Sequence, residues 1–227
     1  MKLENIVPWG RNLNEYRAMF LLDETDLQKK ILGCGDGPSS FNTEVDMNDG
    51  SVVSIDPLYQ FSKKEIMQRI DEVAEEVMTQ VRANEASFVW KNIPDPDTLL
   101  DLRIEAMMEF LMDYDEGKEE GRYLDEALPS LSFSDTYFDL ALSSHFLFLY
   151  SEHLDETFHL HAILEMLRVA KEVRIFPLVA LDNTRSPYVE TIMQTLNEEG
   201  YTTQIVKTEY EFQKGANEML KVSRESV

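Results

Sequence analysis

Two small groups of residues carry the chemistry to expect of this chain. The first is the turn Gly33, Cys34, Gly35, Asp36 and Gly37. Its glycines, lacking a Cβ, let the backbone adopt positive φ and come close to a ligand. The second is Asp56, the acid that closes the apolar run 51–56. A carboxylate at a strand end accepts hydrogen bonds from both hydroxyls of a ribose, so turn and acid together specify an adenosine-type ligand. All four histidines, His145, His153, His159 and His161, fall in one later stretch. His145 follows the run 138–144 and stands at the carboxyl end of a strand, where open α/β sheets place ligands. Its ordinary pKa near neutrality makes it the candidate base, with Tyr150 behind it. The histidines do not form a metal set. His159 and His161 are two apart on a predicted helix and point to different faces, whereas a helical ligand pair needs a spacing of three or four. Cys34 has no histidine near it in sequence and reads as a small filler of the turn.

These residues need elements to hold them, and short apolar runs alternate with helical patterns along the chain. Residues 30–32, 51–56, 121–124, 138–144 and 173–181 read as strands. Ser62 and Glu65 have the capping-box spacing and open a helix with Ile66, Ile70, Val73, Val77 and Val81 on one face. A second helix is expected over about 97–113 through Leu100, Ile104, Met107 and Leu111. A third covers 158–170, and a fourth is opened by Ser186 and Pro187 and ended by Gly200. The interval 60–127 is longer than a link between parallel strands requires and reads as a helical insertion within a single domain spanning 1–227. It carries 18 acids and 8 bases, so much of the negative charge sits on a lid-like element. The runs 202–212 and 218–223 are joined by residues too few for a parallel crossover and must pair antiparallel. The fold class is therefore α/β: a doubly wound, mostly parallel seven-stranded sheet closed by a C-terminal antiparallel hairpin.

The 227 residues hold 43 Asp and Glu against 21 Lys and Arg, a formal net charge of -22. Such a chain repels phosphate backbones and anionic lipid, so neither nucleic acid nor membrane is an expected partner. Hydrophobic residues make up 43%, which fits a globular core and excludes collagen-like and disordered classes. A lone cysteine excludes an intramolecular disulfide and a multi-cysteine metal site, and with no signal-like run from Met1 to Trp9 the expected compartment is the cytoplasm. The sequence does not give the oligomeric state.

Apart from the insertion, nearly the whole chain resembles the class I S-adenosylmethionine-dependent methyltransferases. Residues 31–37 look like their glycine-rich motif, Val53 to Leu58 like their second motif, and residues 128–145 like the stretch entering their fourth strand. The closing hairpin is similar to theirs as well. The resemblance implies S-adenosylmethionine as cofactor. Gly35 and Gly37, with Gly33, Cys34 and Asp36 in the same turn, would lie at its methionine end. Asp56 would hold the ribose, Pro57 and Leu58 would flank the adenine, and Ser143, Ser144 and His145 would lie beside the sulfonium. The family usually opens the glycine motif on an acid; here Ile31 or Gly33 takes that place according to register, and Asp36 is the acid available as a substitute. The acid before the adenine-facing turn has Leu124 or Asp125 as its nearest counterpart. Trp9, Arg11 and Tyr16 precede the first strand, where relatives have either a segment folded over the cofactor or a helix packed on the sheet.

The implied activity is methyl transfer to a small-molecule acceptor by in-line displacement at the sulfonium methyl. Such a reaction gains most from alignment and exclusion of water, with a base added when the nucleophile must lose a proton. An acidic lid suggests a cationic or neutral acceptor, met at Glu105, Glu109 and Asp113. Two alternatives stand beside this reading. One is a module that binds S-adenosylmethionine or S-adenosylhomocysteine without catalysis. The other is a nicotinamide-dependent enzyme using the same turn and Asp56, from whose usual strand order the closing hairpin departs.

Overall fold

The structure, a computed structural model, describes residues 6–224; part of the Met1 to Trp9 stretch lies outside the described residues. The strands are β1 (Lys30–Cys34), β2 (Ser51–Ile55), β3 (Tyr123–Leu124), β4 (Phe138–Ser144), β5 (Ala170–Phe176), β6 (Tyr201–Lys207) and β7 (Glu218–Arg224). The helices are α1 (Leu13–Phe20), α2 (Glu24–Leu27), α3 (Phe41–Asp46), α4 (Lys63–Ala83), α5 (Pro96–Glu119), α6 (Glu156–Val169) and α7 (Val189–Glu198). All seven strands join one sheet in the order β3-β2-β1-β4-β5-β7-β6. Strands β1 to β5 run parallel to one another, and β7 pairs antiparallel with both β5 and β6.

Both faces of the central strands are covered, which explains why β1 and β4 read as unbroken apolar runs. One face sends Leu32, Cys34 and Ala141 into a core with Ile163, Leu167, Ile192 and Leu196 of α6 and α7. The other sends Ile31, Leu140 and Leu142 against Tyr16, Met19 and Phe20 of α1 and Phe41 of α3. Two helices start on complete capping boxes, α1 through Asn12 and Glu15 and α4 through Ser62 and Glu65, each box satisfying backbone N–H groups that no helical carbonyl reaches. The interval 60–127 holds α4, α5 and the short edge strand β3.

The structure moves several expected boundaries. Strand β5 runs Ala170–Phe176 and stops before Pro177, which has no N–H to continue the ladder. Strand β6 ends at Lys207, and residues 208–217 leave the sheet: Phe212 stacks on Phe88 at 4.9 Å between ring centroids, and its carbonyl accepts the Val89 N–H at 2.7 Å. Helix α7 begins at Val189, and the Ser186 hydroxyl accepts the Tyr188 N–H at 3.4 Å and pairs with the Ser151 hydroxyl at 2.7 Å. Helix α5 is longer than its predicted span and is rotated: Leu99, Arg103, Ala106, Met107, Phe110, Leu111 and Tyr114 form its buried side, while Leu100 and Ile104 are only partly covered. Among the described residues no helix is long and apolar enough to cross a membrane.

Candidate functional site

The carboxyl ends of β1, β2 and β4 open into a cavity of about 810 Å³. That volume lies in the upper part of the ~300–1,000 Å³ range of small-molecule sites. Its floor is the glycine turn. Gly35 and Gly37 sit at φ 66° and 55°, the left-handed region where a Cβ is strained. A Cβ on Gly35 would also stand 2.9 Å from the Phe146 ring. Gly33 is needed for a different reason. The Asp36 carboxylate folds back over it, so that Oδ2 lies 1.7 Å from where a Cβ would be. In that position Asp36 accepts the Tyr16 hydroxyl at 2.7 Å and the Ser54 hydroxyl at 2.6 Å.

Asp56 closes β2 beside the turn and accepts the Gly37 N–H at 2.9 Å and the Leu58 N–H at 2.8 Å. Each oxygen of an ionised carboxylate has two acceptor sites, so one bond apiece leaves capacity for a diol. Burial pushes both acids up to about 6, and each feels a further carboxylate, Asp56 in the case of Asp36 and Asp125 in the case of Asp56.

The wall opposite is made by the end of β4 and by the N-terminal segment. His145 holds φ at 52°, anchored by its N–H to the Phe176 carbonyl at 2.7 Å. Its Nδ1 lies 3.0 Å from the Ser144 hydroxyl. Burial, with the charges of Arg11 and Arg103, drives the imidazole pKa well below its usual value, so the ring is neutral at pH 7 and a weaker base than a free imidazole. The Tyr150 hydroxyl accepts the Val7 N–H at 3.3 Å, and burial raises its pKa. Tyr16 stacks on Phe41 at 4.1 Å, which fixes its hydroxyl over Asp36. Behind this wall Arg103 is buried and donates to Glu15 at 2.5 and 2.6 Å, while the Tyr210 hydroxyl donates to the same carboxylate at 2.9 Å.

Of the residues expected from sequence, Gly35, Asp36, Gly37, Asp56, Pro57, Leu58, Ser144, His145 and Tyr150 all line this one cavity. Others stand outside its lining. Gly33 lies beneath Asp36. Cys34 is buried in the core with its thiol pKa raised by burial, consistent with a filler. Ser143 faces away from Ser144, as successive residues of a strand do, and is buried with its hydroxyl unpartnered. Leu124 uses its carbonyl to accept the Asp56 N–H at 3.3 Å, and Asp125 is exposed, so that wall is formed by Glu126, Ala127 and Leu128.

The acids Glu105, Glu109 and Asp113 do not line the cavity either. Asp113 is committed to Arg122 at 2.7 Å through both of its oxygens, and the acids of the interval 60–127 that do reach the cavity are Glu65 and Glu72 on α4 and Glu126. Among the histidines, His159 is buried with Nδ1 2.7 Å from the Asp155 carbonyl, while His153 and His161 are exposed. Sequence reasoning missed Phe146 and Leu149 as cavity walls, whereas the lid-like interval does line the cavity, through one side of α4. The available signal for α4 was its capping box, which fixes where the helix begins relative to Asp56.

No family model matches the chain. It is 32% identical over 225 residues to the uncharacterized protein MJ0045 of Methanocaldococcus jannaschii, covering 99% of each chain. The methyltransferase domain of bacterial CtHen1-CN superposes with a TM-score of 0.52 at 13% identity, over 93% of this chain and all of that one. Magnesium protoporphyrin IX methyltransferase from Synechocystis PCC 6803, in a structure with bound S-adenosylmethionine, gives a TM-score of 0.49 at 12% identity over 94% and 78% of the two chains. This chain belongs to one family with MJ0045, and it has the class I methyltransferase fold.

Proposed function

We propose that the protein transfers a methyl group from S-adenosylmethionine to a small-molecule acceptor by in-line displacement. The observation that carries this reading is that the glycine turn, Asp56 and His145 line one cavity at the carboxyl ends of β1, β2 and β4. Asp56 has the acceptor capacity that a ribose diol uses, and Pro57 and Leu58 extend the same wall where an adenine would lie. When bound, the cofactor supplies the electrophilic methyl on its sulfonium. The protein's part is to align the acceptor, exclude water beneath α4 and, for a protic acceptor, take the proton on neutral His145. A cavity walled by α4 and an overall charge of -22 both favour a small acceptor over a polyanion.

Calorimetric titration with S-adenosylmethionine, S-adenosylhomocysteine and NAD tests this reading, in the wild type and in Asp56→Ala. Micromolar binding of the first two, lost in the variant, and no binding of NAD is the expected result. Absence of binding, or equal binding by the variant, would reduce the methyltransferase likeness to one of fold.

A further inference from the structure

The cavity is electrically polarised. Its glycine-turn end is negative, since Asp36 and Asp56 line it and accept only from hydroxyls and backbone N–H groups. The wall at the end of β4 is positive. Arg11 lines the cavity, its Nη1 donates to the Trp9 carbonyl at 3.0 Å, and its Nε is buried without a partner. Glu15 does not neutralise it, because that carboxylate already accepts two bonds from Arg103 and one from Tyr210. After burial, the charges that act on His145 are those of Arg11 and Arg103, and at Tyr150 the charge of Arg11 opposes the effect of burial. A buried unpaired charge is costly, and an anion at this wall removes the cost.

The same field decides which nucleophile the wall can serve. His145 has Ser144 at 3.0 Å on Nδ1, which leaves Nε2 for a ligand, and its ring packs against Phe176 and Tyr210 at 5.3 and 6.3 Å between centroids. No carboxylate supports an imidazolium there. An aliphatic alcohol needs a stronger base than this. An amine becomes cationic as its bond to the methyl forms, which the arginines oppose. An acidic hydroxyl gains, because a potential that disfavours an imidazolium favours an oxyanion.

The remaining walls describe the body that carries the hydroxyl. Trp9, Phe146, Leu149, Leu154 and Phe158 line the cavity, with the Phe146 and Phe158 rings nearly perpendicular at 6.3 Å. Aromatic and apolar surface of this kind takes a flat apolar ligand. Glu65, Glu72 and Glu126 also reach the cavity, and Arg69 is spent on Glu72 at 3.3 Å. With a net charge of -22, the chain repels a ready-made anion but admits a neutral acid that ionises inside.

We propose that the methyl acceptor is a phenol, its ring seated against Trp9, Phe146 and Phe158 and its hydroxyl ionising against Arg11. The proposal rests on the methyl-transfer reading above and names its substrate class. The O–H proton leaves through Nε2 of His145 to solvent. An oxygen lone pair then forms the O–CH₃ bond while the S–CH₃ electron pair returns to sulfur, giving an aryl methyl ether and a neutral thioether.

The test titrates the full chain, saturated with S-adenosylhomocysteine, with 7-hydroxycoumarin and with coumarin. The first is a phenol whose neutral and ionised forms absorb at different wavelengths, and the second lacks the hydroxyl. The wild type should favour 7-hydroxycoumarin by about ten- to a hundredfold, as expected for a charge-assisted contact, and should hold it ionised at a pH where the free probe is mostly neutral. Arg11→Met should lose both the preference and the ionisation, and Arg11→Lys should keep most of each. Both variants should bind S-adenosylhomocysteine within about twofold of wild type, which also reports that they are folded. Equal binding of the two coumarins, no binding of either, a bound probe that stays neutral, or an Arg11→Met variant that loses S-adenosylhomocysteine overturns the phenol while the cofactor reading stands. Failure of the wild type to bind S-adenosylhomocysteine overturns the cofactor reading itself, and the phenol with it.

Discussion

Replacing Asp36 by Asn should make the unliganded protein more stable at neutral pH, and the size of the gain follows from the site. The carboxyl is 6% exposed and its pKa is raised from 3.8 to about 6, first by burial and then by the charge of Asp56. A carboxyl raised in this way binds its proton more tightly in the folded chain than in the unfolded one. The contribution of this carboxyl to stability is therefore greatest below pH ~4, falls as pH rises through the window between about 4 and 6, and stays low above it. The full cost is about 3 kcal/mol at pH 7.5 and about half of that at pH 5.0.

Asparagine has the shape of the neutral acid and escapes this cost. Its NH₂ must face one of two hydroxyls that now donate, Tyr16 or Ser54, and that hydroxyl must turn to accept; about 1 kcal/mol is set against the gain for this. Asp36→Asn should be more stable than wild type by about 2 kcal/mol at pH 7.5 and by about 0.5 kcal/mol at pH 5.0. Urea denaturation of both proteins at the two pH values, with m held common, measures the difference. A variant less stable than wild type at pH 7.5, or a difference that does not change with pH, would refute the reasoning.

Two further predictions concern the groups behind and beside the cavity. Arg103→Met leaves Glu15 buried without its cation and should cost about 3–5 kcal/mol in urea denaturation, whereas Arg103→Met with Glu15→Gln should recover most of that; a single variant costing under ~1 kcal/mol would show the pair to be dispensable. Under the methyl-transfer reading, His145→Asn, which tolerates φ 52°, should lower kcat by about 10²–10⁴ for a protic acceptor, and the wild-type rate should stay level as pH falls through 6.5 because the ring is already neutral there. An unchanged kcat would remove proton transfer from the role of His145.

The glycine turn and Asp56 were legible in the sequence because their signals are local: glycines at strand-end spacing and an acid closing the next apolar run. The reversed β7 was legible for the same reason, as a connection too short to cross over. What escaped depends on partners far along the chain. Arg103 is 1% exposed because Glu15 meets it from 88 residues away, and nothing in the α5 pattern marks a buried cation. Ser143 and Ser144 are equivalent as letters; only the pleat of β4 sends one into the core and the other to the cavity. Residues 208–212 have strand-like composition, yet Phe212 is drawn to Phe88 and Trp90, and the local preference gives way.

The position of β7 between β5 and β6 also bears on how the chain is made. Residues 172–175 of β5 pair with β7 through Ser223 to Leu220, so that edge of the sheet has no partner until Glu218–Arg224 has left the ribosome. Until then a nascent chain presents a strand edge with free backbone donors and acceptors, a template for a neighbouring copy. Lys171 and Glu172 place charges at the start of that edge, the kind of residue that discourages such pairing during synthesis.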